Sequence, residues 1–326
     1  MPRRKVAGIA ILCLTSLLAA SSQALAAASM ALVNMDGPGE GLNDPAPCLP
    51  TATNPATTLG GARLNAVQYA MSVWADQLES DVTIQVGVSF DPLGGSAQSA
   101  DLGLGGPTDV FRDFAGAPIP NTWYPAPLAD KLAGQDLAPG ELDIRLQFSS
   151  DVDGPQVLGS NGFYYGLTDD PATGDVWFLD IALHELAHGL GFTTFINLSS
   201  GAKFQGKDDS YLLHLQKIQS SAEPLALMTD AQRAAAVRSG LVYWTGPAVA
   251  ADSTLLTAGS TPAGDVEMFA PSALMPLTSI VHFDPTLTPD QVQEPYYVSG
   301  FPGLQIARAV LADIGWGSTA QCAPIP

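Results

Sequence analysis

Basic residues are scarce in this chain. Its 326 residues carry 13 Lys and Arg against 32 Asp and Glu, a formal net charge of −19. Three of the thirteen cations, Arg3, Arg4 and Lys5, sit at the extreme N-terminus and leave 10 against 32 beyond it. Nucleic acid and anionic membrane are gripped through positive charge, so this balance excludes both as partners. Long apolar runs are lacking too. After the first stretch none could span a bilayer, so no membrane insertion of the mature chain is expected. No internal repeat or low-complexity tract occurs, and the roughly 300 residues after the leader read as one large domain or two lobes sharing a cleft.

The first stretch is of another kind. Arg3, Arg4 and Lys5 precede an apolar run from Val6 to Ala20, and small residues ending in Ala24-Leu25-Ala26 follow. That is the layout of a signal peptide over residues 1–26, which predicts a secreted or periplasmic protein. Leu12 before Cys13 is not the small residue that lipoprotein processing needs. Cleavage leaves two cysteines, Cys48 and Cys322. In an oxidising compartment they are expected to form one disulfide; the alternative makes Cys48 a thiolate that caps a metal in a latent precursor.

Residues 27–60, rich in Pro, Gly, Asn and Thr, read as an extended N-terminal arm. The following stretch places Leu64, Val67, Met71, Trp74 and Leu78 on one helical face, with Arg63, Gln68, Asp76 and Glu79 elsewhere. Val82, Ile84, Val86, Val88 and Phe90 then alternate with smaller or polar residues, as in a half-buried strand, and a Gly/Pro-rich passage runs to about residue 140. Residues 142–148 alternate again through Leu142, Ile144, Leu146 and Phe148. The loop beyond holds Asp151, Asp153, Asp169 and Asp170. Crowded carboxylates suit Ca2+, but no EF-hand spacing occurs, and a solvated acidic loop is the plainer reading. Past residue 200, "TDAQRAAAVRSG" is helix-like, "LVYWTG" strand-like, and a closing helix turns Leu304, Ala307, Leu311 and Ile314 inward. The sum is an α+β outline, with one lobe over 61–200 and another over 201–326.

The first lobe carries "VWFLDIALHELAHGLG", apolar nearly all round, as a helix buried within a domain must be. Gly189 and Gly191 are expected to stop it. His184 and His188, four apart, share a face and can aim two imidazoles at one ion. Zn2+ takes such nitrogens, and a catalytic zinc keeps a position for water, over which Glu185 can lean as a base without ligating. Core histidines bonded to backbone are the bland alternative, but two imidazoles and a carboxylate on an apolar helix would need partners that the sequence does not offer.

"HELAHGLGF" resembles the metzincin metallopeptidases, whose third histidine follows six residues after the second. Here that position is Thr194, which is no zinc ligand. The chain resembles instead the leishmanolysin-like members, in which the third histidine comes after a long insertion. Of the two unassigned histidines, His282 is followed by an aromatic residue and an acid, much as in those peptidases, whereas His214 has no motif around it; Asp208 is a carboxylate alternative. The resemblance implies a zincin-like two-lobe fold and a secreted zinc metalloendopeptidase acting on protein or peptide. His184, His188 and His282 would be the metal ligands and Glu185 the general base. It breaks at the methionine turn, where Gln293 stands in place of methionine and Met275 precedes His282. Tyr296 and Tyr297 are transition-state candidates by position alone, and residues 142–148 are the candidate edge strand for substrate. The rival class is a secreted, non-catalytic zinc-binding surface or interaction protein.

Overall fold

The computed structural model describes residues 26–168, 174–300 and 303–317. Residues 1–25 of the expected signal peptide lie outside the described residues, as do Asp169, Asp170 and Cys322. No described helix is long and apolar enough to cross a membrane.

A four-stranded sheet carries the N-terminal half. Its strands are β1 (Met30–Asn34), β2 (Ile84–Asp91), β3 (Gly103–Pro107) and β4 (Ile144–Ser149), in the order β1-β2-β4-β3. The first three in that order run parallel, and β3 closes the edge antiparallel to β4. The alternation read in β2 and β4 is a burial pattern, with Ile84, Val86, Val88, Phe90, Ile144, Leu146 and Phe148 all in the core. The segment expected as an arm is extended, but it is built into the sheet as β1.

Among the described residues this half holds three α-helices, α1 (Leu59–Ala75), α2 (Ala126–Ala133) and α3 (Phe178–Leu190). Thr58 caps α1 by accepting from the Gly61 N–H, which satisfies one of the orphan donors of the first turn. Val67, Met71 and Trp74 face the core as expected, but Leu64 is only half-buried and Arg63 takes a place on the inner face. Arg63 can do so because Asp153 neutralises it at 2.6 Å. Asp153 is therefore neither a solvated loop residue nor free for calcium.

Helix α3 is buried on nearly every side. Trp74 Nε1 donates to its Leu183 carbonyl at 2.9 Å, and Trp316 Nε1 to its Leu190 carbonyl at 2.8 Å. The second bond satisfies a C-terminal carbonyl that the helix itself leaves unpaired. Gly191, at φ +120°, ends the helix as expected. Gly189 has a different task. It lies inside the helix against β4, where an added Cβ would overlap the Ile144 side chain.

The C-terminal half is less irregular than expected. Strands Ala222–Pro224, Leu215–Ile218, Val242–Trp244 and Val266–Glu267 form an antiparallel sheet in that order. The helix at Asp230–Ala236 opens with a Thr229–Gln232 capping box. The closing helix, Gln305–Leu311, buries Leu304, Ala307 and Leu311. One buried apolar cluster runs from Ala28 through α3 to Trp316. The class is α+β.

Candidate metal centre

Histidines from two distant segments meet at the surface of α3. His184 and His188 come from successive turns of the helix, and His282 from an irregular segment nearly a hundred residues on. The Nε2 atoms lie 3.1 Å apart for His184 and His188, 3.0 Å for His184 and His282, and 3.3 Å for His188 and His282. The packing of two phenylalanines sets this register. Phe192, just after the helix, meets Phe283, just after His282, edge to face at 5.1 Å.

The second nitrogen of each ring fixes its tautomer. His184 Nδ1 lies 2.7 Å from the Val292 carbonyl, His188 Nδ1 2.7 Å from that of Phe192, and His282 Nδ1 2.9 Å from that of Thr278. A carbonyl can only accept, so each Nδ1 carries the proton and donates it. Burial first, and then the neighbouring imidazole, push His184 down to about 3; burial pushes His188 down to about 4 and, with both partners, drives His282 well below its usual value. All three rings are therefore neutral at physiological pH, and three Nε2 lone pairs point at one another. No hydrogen bond can form between them, and only a cation satisfies all three. Nitrogens about 2.0–2.1 Å from a tetrahedral ion stand about 3.3–3.4 Å apart, so the donor set fits such an ion. Together, the three histidines are close enough to bind one metal ion.

Glu185 lies beside them, buried, with its carboxylate accepting the Gly105 N–H of β3. Burial pushes it up to about 8 in the absence of any cation, and a nearby positive charge would pull it down. Strand β3 can come this close because it is largely glycine. An added Cβ at Gly105 would overlap the Glu185 carbonyl oxygen, and one at Gly103 would stand 2.9 Å from Glu185 Cγ. Sequence reasoning missed this strand. Its signal, "LGLGGP", lacks the β-branched and aromatic residues by which strands are read.

The site opens into a cleft of about 1070 Å3 lined by His184, His188, His282, Glu185, Gly103 and Gly105, with Leu277 and Tyr296 among its exposed residues. Residues 142–148 cannot receive a substrate strand, because β4 is paired on both sides; of the two edge strands, β3 borders the cleft. Leu102 and Thr108 pair with β4 through Ser149 and Asp143. The alternation of an antiparallel ladder therefore turns Gly103 and Gly105 outward.

The other candidates have different work. His214 ends a short 3-10 helix, Leu212–His214, just before the strand Leu215–Ile218, and stacks on Trp244 at 5.0 Å. Asp208 pairs with Lys203 at 2.5 Å. Thr194 donates to buried Asp209, which also accepts the Phe195 and Leu212 amides. The Tyr297 hydroxyl accepts the Trp177 N–H at 3.0 Å. Cys48 is a free thiol among the described residues, packed by its Sγ near the Ala56 carbonyl; its expected partner is not described. Gln293 is fully buried, with Nε2 3.4 Å from His188 Nε2. Comparison with protein-family models, with curated proteins and with solved structures finds no match to this chain.

Proposed function

We propose that the chain is a secreted zinc-dependent metalloendopeptidase of the metzincin kind, leishmanolysin-like in its distant third histidine, with a zincin-like two-lobe fold. The observation that carries this reading is the carboxylate of Glu185, held beside three converging lone pairs at the floor of an open cleft. A bound zinc ion would supply Lewis acidity, lowering the pKa of a water and polarising a peptide carbonyl.

The chain's own residues supply the rest. His184, His188 and His282 hold the ion as neutral ligands, each kept in its tautomer by a backbone carbonyl. Glu185 takes a proton from the attacking water and returns it to the leaving amine nitrogen. The Gly105 N–H anchors its carboxylate against β3. An extended peptide adds to the outer edge of β3, pairing with the outward groups of Gly103 and with the Gly105 carbonyl, the Gly105 N–H being held by Glu185. A backbone-paired substrate of this kind is protein or peptide in general, with side-chain preference left to the cleft walls.

A non-catalytic, structural zinc is the competing reading. Such sites leave no position open to solvent, whereas the groups facing the cleft here are a carboxylate and a strand edge. Glu185→Gln tests the assignment. The variant should keep one zinc per chain by metal analysis while hydrolysis of quenched peptides falls about 10²–10⁴-fold. Full hydrolysis by the variant would remove Glu185 from the chemistry. A wild-type protein that hydrolyses no peptide, and that only unfolds on chelation, would favour the structural reading.

A further inference from the structure

Gln293 has a place that the histidines and Glu185 leave unexplained. Its side chain is wholly buried, and its Oε1 has no hydrogen-bond partner among the described residues. Such an oxygen costs about 1–3 kcal/mol where it stays unsatisfied. The other end of the same amide, Nε2, faces His188 Nε2 at 3.4 Å. The backbone around it is tied to the centre as well. The Val292 carbonyl accepts from His184 Nδ1, and the Gln293 carbonyl accepts from the Phe283 N–H beside His282. Gln291, Val292 and Glu294 line the cleft while Gln293 does not, so its amide approaches the three histidines from the buried side.

An amide nitrogen suits this position only while the His188 lone pair is free to accept. Once that lone pair is given to a cation, the N–H group loses its acceptor and presents positive hydrogens to a positive ion. Half a turn about the terminal torsion, which is soft and roughly two-fold, exchanges nitrogen for oxygen in nearly the same volume. The separation suits a donor too, since neighbouring ligands around such an ion stand about 3.3–3.4 Å apart.

We propose that Gln293 is a donor to the metal centre: with a cation on the three histidines, its amide turns and its carbonyl oxygen joins them from the buried side. The set becomes three neutral nitrogens and one neutral oxygen, and a ligand from the cleft side would be the fifth, a number that catalytic zinc sometimes reaches. A neutral oxygen also leaves the ion's positive charge undiminished, as a carboxylate would not. This inference rests on the metal half of the proposed function and not on hydrolysis.

The test uses the full mature chain in two variants, Gln293→Met, which keeps length and shape without an oxygen, and Gln293→Glu, which keeps an oxygen. Zinc affinity is read by competition with a chromophoric chelator, and coordination number by the visible absorption of the Co2+-loaded protein. Gln293→Met should bind zinc about ten-fold more weakly or worse, the loss expected for a polar contact to a charged group. Its Co2+ bands should intensify as the coordination number drops. Gln293→Glu should bind at least as tightly as the wild type. Unchanged zinc affinity and an unchanged Co2+ spectrum in a folded Gln293→Met would overturn the proposal. So would a zinc-loaded crystal structure of the wild type in which the amide oxygen stays beyond bonding distance, a result that needs no variant to fold. A wild type that binds neither metal would instead bring down the metal centre itself.

Discussion

Two buried polar clusters flank the packed helices, and they are completed in opposite ways. In the first, Arg63 meets Asp153 at 2.6 Å, Tyr165 donates to the same Asp153 oxygen at 2.6 Å, and the Gly41 carbonyl accepts from Arg63 Nη1 at 3.0 Å. The guanidinium also stands over the Phe90 ring at 4.4 Å from its centroid. Donors face acceptors and charge faces opposite charge, so nothing from outside is called for. In the second, three imidazoles spend their protons on backbone carbonyls and turn acceptor to acceptor. A cluster of that kind is incomplete as a structure and complete only as a binding site. What separates architecture from function here is the sign of the group that faces inward.

The sharpest way to break this contrast is to remove a ligand. His282→Ala leaves two histidines on one helix. Losing even an outer-shell partner costs about 10–100-fold in metal affinity, so losing a ligand should cost more than about 100-fold. Zinc per chain after gel filtration should fall to background while the melting curve of the metal-free protein changes little. A variant that still kept one zinc would show that the three nitrogens are not its site.

The first cluster should respond in reverse. Arg63→Met strands Asp153 in the core, and breaking a buried pair from one side costs about 3–5 kcal/mol. The melting temperature should drop by roughly 10 °C or more. Zinc bound per folded chain should stay at one. Loss of zinc from the folded variant would mean that the two clusters are coupled and not merely neighbours in the core.

A third pair sharpens the comparison at smaller amplitude. Asp130 and Asp143 are buried together, each anchored by one backbone amide, from Leu137 at 2.9 Å and from Gln85 at 2.7 Å. Burial, and then its carboxyl neighbour, push Asp130 up to about 7. Here a proton does what the guanidinium does in the first cluster. The unfolded aspartate titrates near about 3.9, so the folded state holds the proton more tightly. Stability should fall as pH rises from about 4 to about 7, with the full cost present above 7. Asp130→Asn can still accept from Leu137 and donate to Asp143 without ionising. It should raise the melting temperature at pH 8 by roughly 2–4 °C and leave it unchanged at pH 4. An equal shift at both pH values would show that no proton is shared.

The same contrast explains what could be read in advance. His184, Glu185 and His188 are legible because a helix puts a four-residue spacing on one face, and the apolar residues around them announce a buried helix. His282 was legible through its neighbours and through the scarcity of histidine; its register depends on Phe192 meeting Phe283, which no local pattern encodes. Arg63 was expected outward because its partner Asp153 lies ninety residues away, and a charge reads as exposed until its counter-charge is found. Strand β3 was passed over as loop for a related reason. It is held by pairing with β4 and shaped by the absence of Cβ atoms where Glu185 approaches, so its glycines look like turn residues until the helix beside them is in place. Gln293 was legible only as a missing methionine, and its contact with His188 belongs to the tertiary structure.

If one cation joins His184, His188 and His282, anomalous diffraction from crystals of the protein soaked in zinc should show a single strong peak in bonding contact with all three Nε2 atoms, open toward the cleft. A map at saturating zinc with no peak between these rings would contradict it.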